Sequence, residues 1–217
     1  MNKWSIATLA ILAGVKAFSL GWNPFAAASA DKRLEEKLAA LYEKNDMSVS
    51  SNPYDATKNN PDFESIVGLG IDALPGLHDK LAVSPDNGLH AYMLAIAIET
   101  IAKVNLKRAE ATRWATAKEF EAVWTEHLRS VPASVEAIAS DLALEPEQRR
   151  SKLVDLGIPA LPFLMDHVES GEEPFFSAVV ELTKHTAFEA SPETDPKEWA
   201  ARHKARLSDL KQYVLSR

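Results

Sequence analysis

The sequence predicts an all-α protein, and three observations carry that prediction. Apolar residues recur at helical spacing from residue 32 almost to the C-terminus. No stretch alternates apolar and polar residues for long enough to make a strand. A twelve-residue segment suited to turning one helix into the next occurs twice, at an offset of 87 residues.

Residues 1–30 contain no acidic residue, although the chain carries 31 in all. Lys3 precedes a ten-residue apolar run over 6–15, and Ala28-Ser29-Ala30 places small residues ahead of Asp31. This is the layout of a secretory signal peptide. Residues 1–30 are therefore assigned to a signal peptide and 31–217 to a helical domain that is secreted or held in the cell envelope. The apolar run is shorter than the roughly 20 residues that span a bilayer. Lys16 interrupts it before apolar character resumes through Trp22, so the alternative is an uncleaved, membrane-tethered structural protein. A membrane is expected as a partner only in that case.

Composition narrows the function classes. With no Cys, the chain has no disulfide scaffold, no thiolate-held zinc or iron–sulfur site and no cysteine nucleophile. Twenty-four Lys and Arg against 31 Asp and Glu give a net charge of −7, which argues against nucleic acid as a partner.

Residues 32–44 place Leu34, Leu38, Leu41 and Tyr42 on one helical stripe, with Asp31 positioned to cap it. Residues 46–61 are rich in Ser, Asn, Asp and Pro and are expected to form a loop exposing Tyr54. A short helix near 62–69 should stop at Gly70, and a longer one should run over about 72–83. Residues 84–88 read as a turn. Residues 89–104 are apolar on nearly every side and predict a helix buried between neighbours. Further helices are expected near 117–130, 134–142, 146–156, 159–169, 174–185 and 196–216.

The internal repeat is the most specific signal. Residues 66–77 (IVGLGIDALPGL) and 153–164 (LVDLGIPALPFL) are identical at eight of twelve positions. A second echo aligns Lys118, Glu119, Phe120, Ala122 and Leu128 with Lys197, Glu198, Trp199, Ala201 and Leu207. These matches divide the domain into copy 1, about 61–130, and copy 2, about 146–210. In the shared motif, Gly70 and Gly157 suit a left-handed residue that ends a helix. Pro75 and Pro162 suit the first turn of the next. Ile71, Leu74 and Leu77, with Ile158, Leu161 and Leu164, would form its buried stripe. The four Gly and Pro residues are thus a structural motif.

LGxxALPxL, followed by a polar turn and an Ala-rich apolar helix, resembles HEAT-like (armadillo-type) helical repeats. The resemblance covers roughly 61–104 and 147–186. It implies antiparallel helix pairs stacked into a short α-solenoid that binds partners. Leu89-His90 and Phe175-Phe176 stand where HEAT repeats often carry Val-Arg, and 87 residues is about twice a HEAT unit. A compact two-copy array of helical hairpins is therefore expected, with extra helices in each copy.

No phosphate-binding loop, GxSxG or HExxH motif is present. The expected function is an exported, non-enzymatic protein-binding or scaffolding module of the cell envelope or extracellular space, with no cofactor. One alternative is a metal-dependent enzyme using His167, Glu181 and His185 as a His/carboxylate site. The plainer reading makes these residues solvated or helix-capping groups, since His167 and His185 fall near helix C-termini. Residues 187–196 are acidic and Pro-containing and read as a flexible connector. Phe120 and Trp199, which match in the repeat, are expected in the core. Trp114, near Lys107, Arg108 and Arg113, is expected to pack on the flank of the array with an Arg stacked over it. Contact with an anionic cell-wall polymer is the other reading of that patch.

Overall fold

The computed structural model describes residues 24–45, 52–84 and 87–217, with side chains from residue 31. Residues 1–23 of the expected signal segment over 1–30 lie outside these residues, as do Pro85 and Asp86 of the 84–88 turn. All regular structure among the described residues is helical, as the periodicity predicts.

Helix α1 runs from Pro24 to Asn45, then come α2 (Pro53–Thr57) and α3 (Pro61–Val67). A 3₁₀ turn over Gly70–Ala73 leads into α4 (Leu74–Ala82), followed by α5 (Leu89–Ala102) and α6 (Ala117–Ser140). Then α7 (Pro146–Asp155) meets a 3₁₀ turn over Ile158–Ala160, which leads into α8 (Leu161–Ser170), α9 (Glu173–Thr183) and α10 (Pro196–Leu215). Helix, 3₁₀ turn, helix, helix and long helix therefore follow one another twice, except that a further 3₁₀ turn, Glu110–Thr112, stands between α5 and α6.

The packing follows the same order. Helix α4 lies on α5 and α6, and α8 lies on α9 and α10. Helix α1 lies on α3 and its 3₁₀ turn, and α6 lies on α7 and the second 3₁₀ turn. The starts of α6 and α10 also correspond. Thr116 Oγ1 accepts from the Glu119 N–H at 3.2 Å, and Asp195 Oδ1 accepts from the Glu198 N–H at 2.8 Å. Each cap satisfies one of the donors that a helix start leaves open.

Several boundaries depart from the sequence reading. Helix α1 begins at Pro24 and continues through Asp31, which is interior and not a cap. The loop expected over 46–61 contains α2, because Asn52 and Asn60 each cap a helix whose next residue is Pro. Capping oxygen and preset φ together start a helix in a polar segment. The two helices expected over 117–130 and 134–142 are one, α6, running through Pro132. Leu128, Val131 and Val135 are buried on either side of that proline, and their burial offsets the bond its ring removes. The segment 187–196 is pinned, with Phe188 and Ala190 buried and Thr183 Oγ1 accepting from the Ala190 N–H at 2.9 Å.

The core forms around α5, α6 and the repeated corner. Ile71, Leu74 and Leu77 are buried, as are Ile158, Leu161 and Leu164, and Pro75 and Pro162 each sit in the first turn of their helix. Gly70 and Gly157 both have positive φ, 66° and 74°. Their surroundings differ. A Cβ on Gly70 would meet nothing within 4 Å, whereas one on Gly157 would lie 2.5 Å from the Ala102 carbonyl oxygen and 2.3 Å from Val104 Cγ2. Gly157 is therefore also the point where the second corner touches the backbone at the end of α5.

This difference predicts unequal costs. Gly70→Ala should cost about 1 kcal/mol, the penalty of a left-handed alanine. Gly157→Ala should cost about 3 kcal/mol or more, because backbone must also move. Urea unfolding of the two variants measures the gap, and equal costs would contradict the close contact.

Candidate functional site

Three places on the molecule combine polar groups with unusual surroundings. The first is a buried polar chain where α4, α6 and α10 meet. His78 on α4 is only 1% exposed. Its Nδ1 lies 3.0 Å from the Tyr213 hydroxyl on α10, which also accepts from Trp124 Nε1 at 3.0 Å. His78 Nε2 lies 3.2 Å from Thr125 Oγ1, which in turn lies 3.2 Å from Glu121 Oε1.

The partners assign the protons. Thr125 gives its proton to Glu121 and so accepts from His78 Nε2–H, which leaves His78 Nδ1 to accept from the Tyr213 hydroxyl. His78 then carries its proton on Nε2 and donates to Thr125, whose hydroxyl donates to Glu121. The chain runs one way, from indole to carboxylate, and uses each group once. Beside it, Arg217 lies over the Tyr213 ring at 5.0 Å and pairs with Asp79 at 2.7 Å. Burial pushes the His78 pKa below the ordinary histidine value, and the Arg217 charge adds to that. Burial likewise raises the Tyr213 phenol above its ordinary value. His127, stacked on Trp124, bonds the Leu156 carbonyl oxygen through Nε2 at 3.1 Å, and burial lowers its pKa too. These groups join helices; their chemistry is that of a satisfied core network.

The second place surrounds Trp114. The ring is 2% exposed, so it packs into the flank as expected, but the cation over it is Lys107 and not an Arg. Lys107 Nζ sits 3.7 Å from the Trp114 ring centroid, 5.0 Å from Tyr54 and 5.3 Å from Tyr92.

The third is a groove of about 410 Å³ between α7, α9 and the segment before α10. Phe176, Val180, Pro192 and Pro196 give it apolar walls, while Arg150 and Glu173 bring opposite charges to its lining. Arg150 is held by Glu147, and the Glu173 carboxylate accepts from Ser177 Oγ at 2.5 Å.

The residues singled out as a possible metal site take other partners. His167 Nδ1 lies 2.7 Å from Glu172 Oε1, and its ring stacks on Phe175 at 4.1 Å. Glu181 pairs with Lys184 at 2.6 Å, and that hydrogen bond holds its pKa low. His185 follows α9 in a left-handed conformation, and its backbone N–H donates to Glu189. Among the described residues, no group of three or more His, Asp or Glu is placed to hold a metal ion. Phe120 and Trp199 lie in the core as expected, and Trp124 is buried with them. The His78–Tyr213 chain was not anticipated. Its members stand 135 residues apart, and no local spacing marks them.

Histidines with lowered pKa make stability pH-dependent. Between the unfolded value near 6.5 and the lower folded value, the unfolded chain binds more protons. Stability is therefore full above about pH 6.5 and falls as the pH drops toward the folded values of His78 and His127. Urea midpoints measured from pH 7.5 to 5 should decline, and His127→Gln should flatten the decline. Tyr213→Phe should cost about 2 kcal/mol, since it strands the Trp124 N–H and His78 Nδ1 in the core. A flat profile, or a neutral Tyr213→Phe, would contradict the chain.

The chain matches no protein-family model, no curated protein and no solved structure.

Proposed function

We propose that this protein is an exported, non-enzymatic binding or scaffolding module of the cell envelope or extracellular space, built as two copies of a HEAT-like helical unit behind a cleaved signal peptide. The observation that carries the reading is the recurring succession of helix, 3₁₀ turn, helix, helix and long helix, with α3 and α4 on α5 and α4 on α6 as α7 and α8 lie on α9 and α8 on α10. Arrays of this kind present long helical surfaces to partners. The apolar leader over 6–15 and the small residues at 28–30 support export. Among the described residues no helix is long and apolar enough to cross a membrane.

The groove lined by Arg150, Phe176 and Val180 is the surface we assign to a protein partner. It offers apolar walls for an anchoring side chain and charges of both signs to orient it.

N-terminal sequencing of the product from an exporting cell should begin at Asp31, and the chain should fractionate outside the cytoplasm. A photo-reactive residue in place of Phe176 should cross-link one discrete partner, and Val180→Glu should abolish that product. A cytoplasmic chain retaining its leader, or cross-linking unchanged by Val180→Glu, would overturn the proposal.

A further inference from the structure

The setting of Lys107 is unusual for a lysine. Three aromatic rings from three separate segments converge on one ammonium: Tyr54 from α2, Tyr92 from α5, and Trp114 from the segment before α6. All three centroids lie within the distance at which a ring face attracts a cation. Among the described residues, no carboxylate lies within ion-pair distance of this ammonium, and a phenol, Tyr92 Oη, accepts from it at 3.1 Å.

The cage is built independently of its occupant. Trp114 Nε1 donates to Glu99 Oε1 at 3.3 Å, and the same oxygen accepts from the Leu106 N–H at 2.9 Å. The Trp114 ring also meets Tyr92 at 4.8 Å and Phe120 at 5.0 Å, so its plane is fixed by packing on both sides. Tyr54 meets Tyr92 edge-on at 6.3 Å and is 42% exposed, which leaves one wall of the cage at the surface. Val104 and Leu106 are buried and anchor the backbone beside Lys107. The lysine side chain can therefore leave by rotation, without unseating the segment.

The Lys107 ammonium is held here by the ring faces and the Tyr92 phenol. It carries three N–H donors that need oxygen acceptors, while the walls offer mainly ring faces. A quaternary ammonium carries the same charge on methyl groups and needs no acceptor, so the ring faces alone can hold it. We propose that Tyr54, Tyr92 and Trp114 form a binding site for a choline-type quaternary ammonium, and that Lys107 plugs it in cis. The Glu99 carboxylate behind Trp114 adds favourable charge for any cation there. The plug lowers apparent affinity in proportion to the fraction of time it is seated.

The test uses the full mature chain, with the Trp114 indole N–H followed by NMR and binding measured by calorimetry. Choline and tetramethylammonium should bind Lys107→Ala and Lys107→Ser at least tenfold more tightly than the wild type. Lys107→Met, an uncharged plug of similar length, should stay closed. Adding Tyr54→Ala to the opened variant should lower affinity several-fold, and this partly exposed position keeps the variant foldable. The uncharged carbon isostere of choline should not bind. Retention on phosphatidylcholine vesicles would assign a lipid headgroup as the source of the cation, and binding of free choline without retention would assign the soluble compound. If neither opened variant binds choline, or if the uncharged isostere binds equally well, the proposal fails.

Discussion

The closest constraint in the molecule is the contact between Gly157 and the end of α5. The Ala102 carbonyl oxygen and Val104 side chain leave no room for a Cβ there. Helix α5 is apolar on all sides and buried along most of its length, so it cannot shift to relieve a clash. Its end is fixed by Lys103, which turns left-handed at φ 52° and lets the chain reverse. Lys103 Nζ then donates to the Lys184 carbonyl oxygen at 2.5 Å, and Arg108 pairs with Asp155 at 2.8 Å. These contacts gather at one seam, so the position of α7 and α8 relative to α5 rests on a glycine. The corresponding Gly70 faces open space. One residue type thus meets two needs: a backbone conformation at both corners and a close approach at only one.

A second link ties α10 back to α4 and α6 through the His78–Tyr213 chain. A satisfied polar chain is directional in a way that apolar packing is not. Leu210 and Val214 would bury comparable area in several registers of α10, whereas Tyr213 meets both the indole and the imidazole in one. Arg206 adds a forked pair with Asp72 at 2.9 and 3.3 Å on the same side of α10. That pair is partly exposed and contributes little energy, but it agrees with the register the buried chain sets.

The sequence made the helical class legible, because periodicity and the Gly/Pro punctuation act locally. The repeat located both corners, and the alignment of Phe120 with Trp199 marked an aromatic core position twice. Local rules failed where a longer-range contact outweighed them. Pro132 reads as a break, yet burial of Leu128, Val131 and Val135 carries α6 through it. The polar 46–61 segment reads as a loop, yet Asn-Pro pairs start helices inside it. The aromatic–basic patch was visible around Trp114, but its third wall was not. Tyr54 lies 53 residues before Lys107, and only the packing of α2 on α5 brings them together. The groove was equally hidden, since its walls come from three segments that carry no shared motif.

If the two copies descend from one unit, their differences show where each has been fitted to a separate role. Gly76 aligns with Phe163 at the same offset. In copy 1 the missing side chain makes room for Leu34 of α1, whose Cδ2 would lie 2.8 Å from a Cβ at Gly76. Tyr42 of α1 stacks on His90 at 4.0 Å, so α1 covers the start of α5 as well. In copy 2 the aligned Phe163 is half-buried with Lys211 over its ring, and the residue aligned with His90 is Ser177, which lines the groove. In copy 2 it is α6 that covers the corner, and of these positions only the one aligned with His90 opens onto the groove. The His90 position is thus closed by Tyr42 in the first copy, while Ser177 stands beside Phe176 and Val180 in the groove of the second. That asymmetry at one aligned position is what favours the α7–α9 groove over α1 as the surface proposed for a partner.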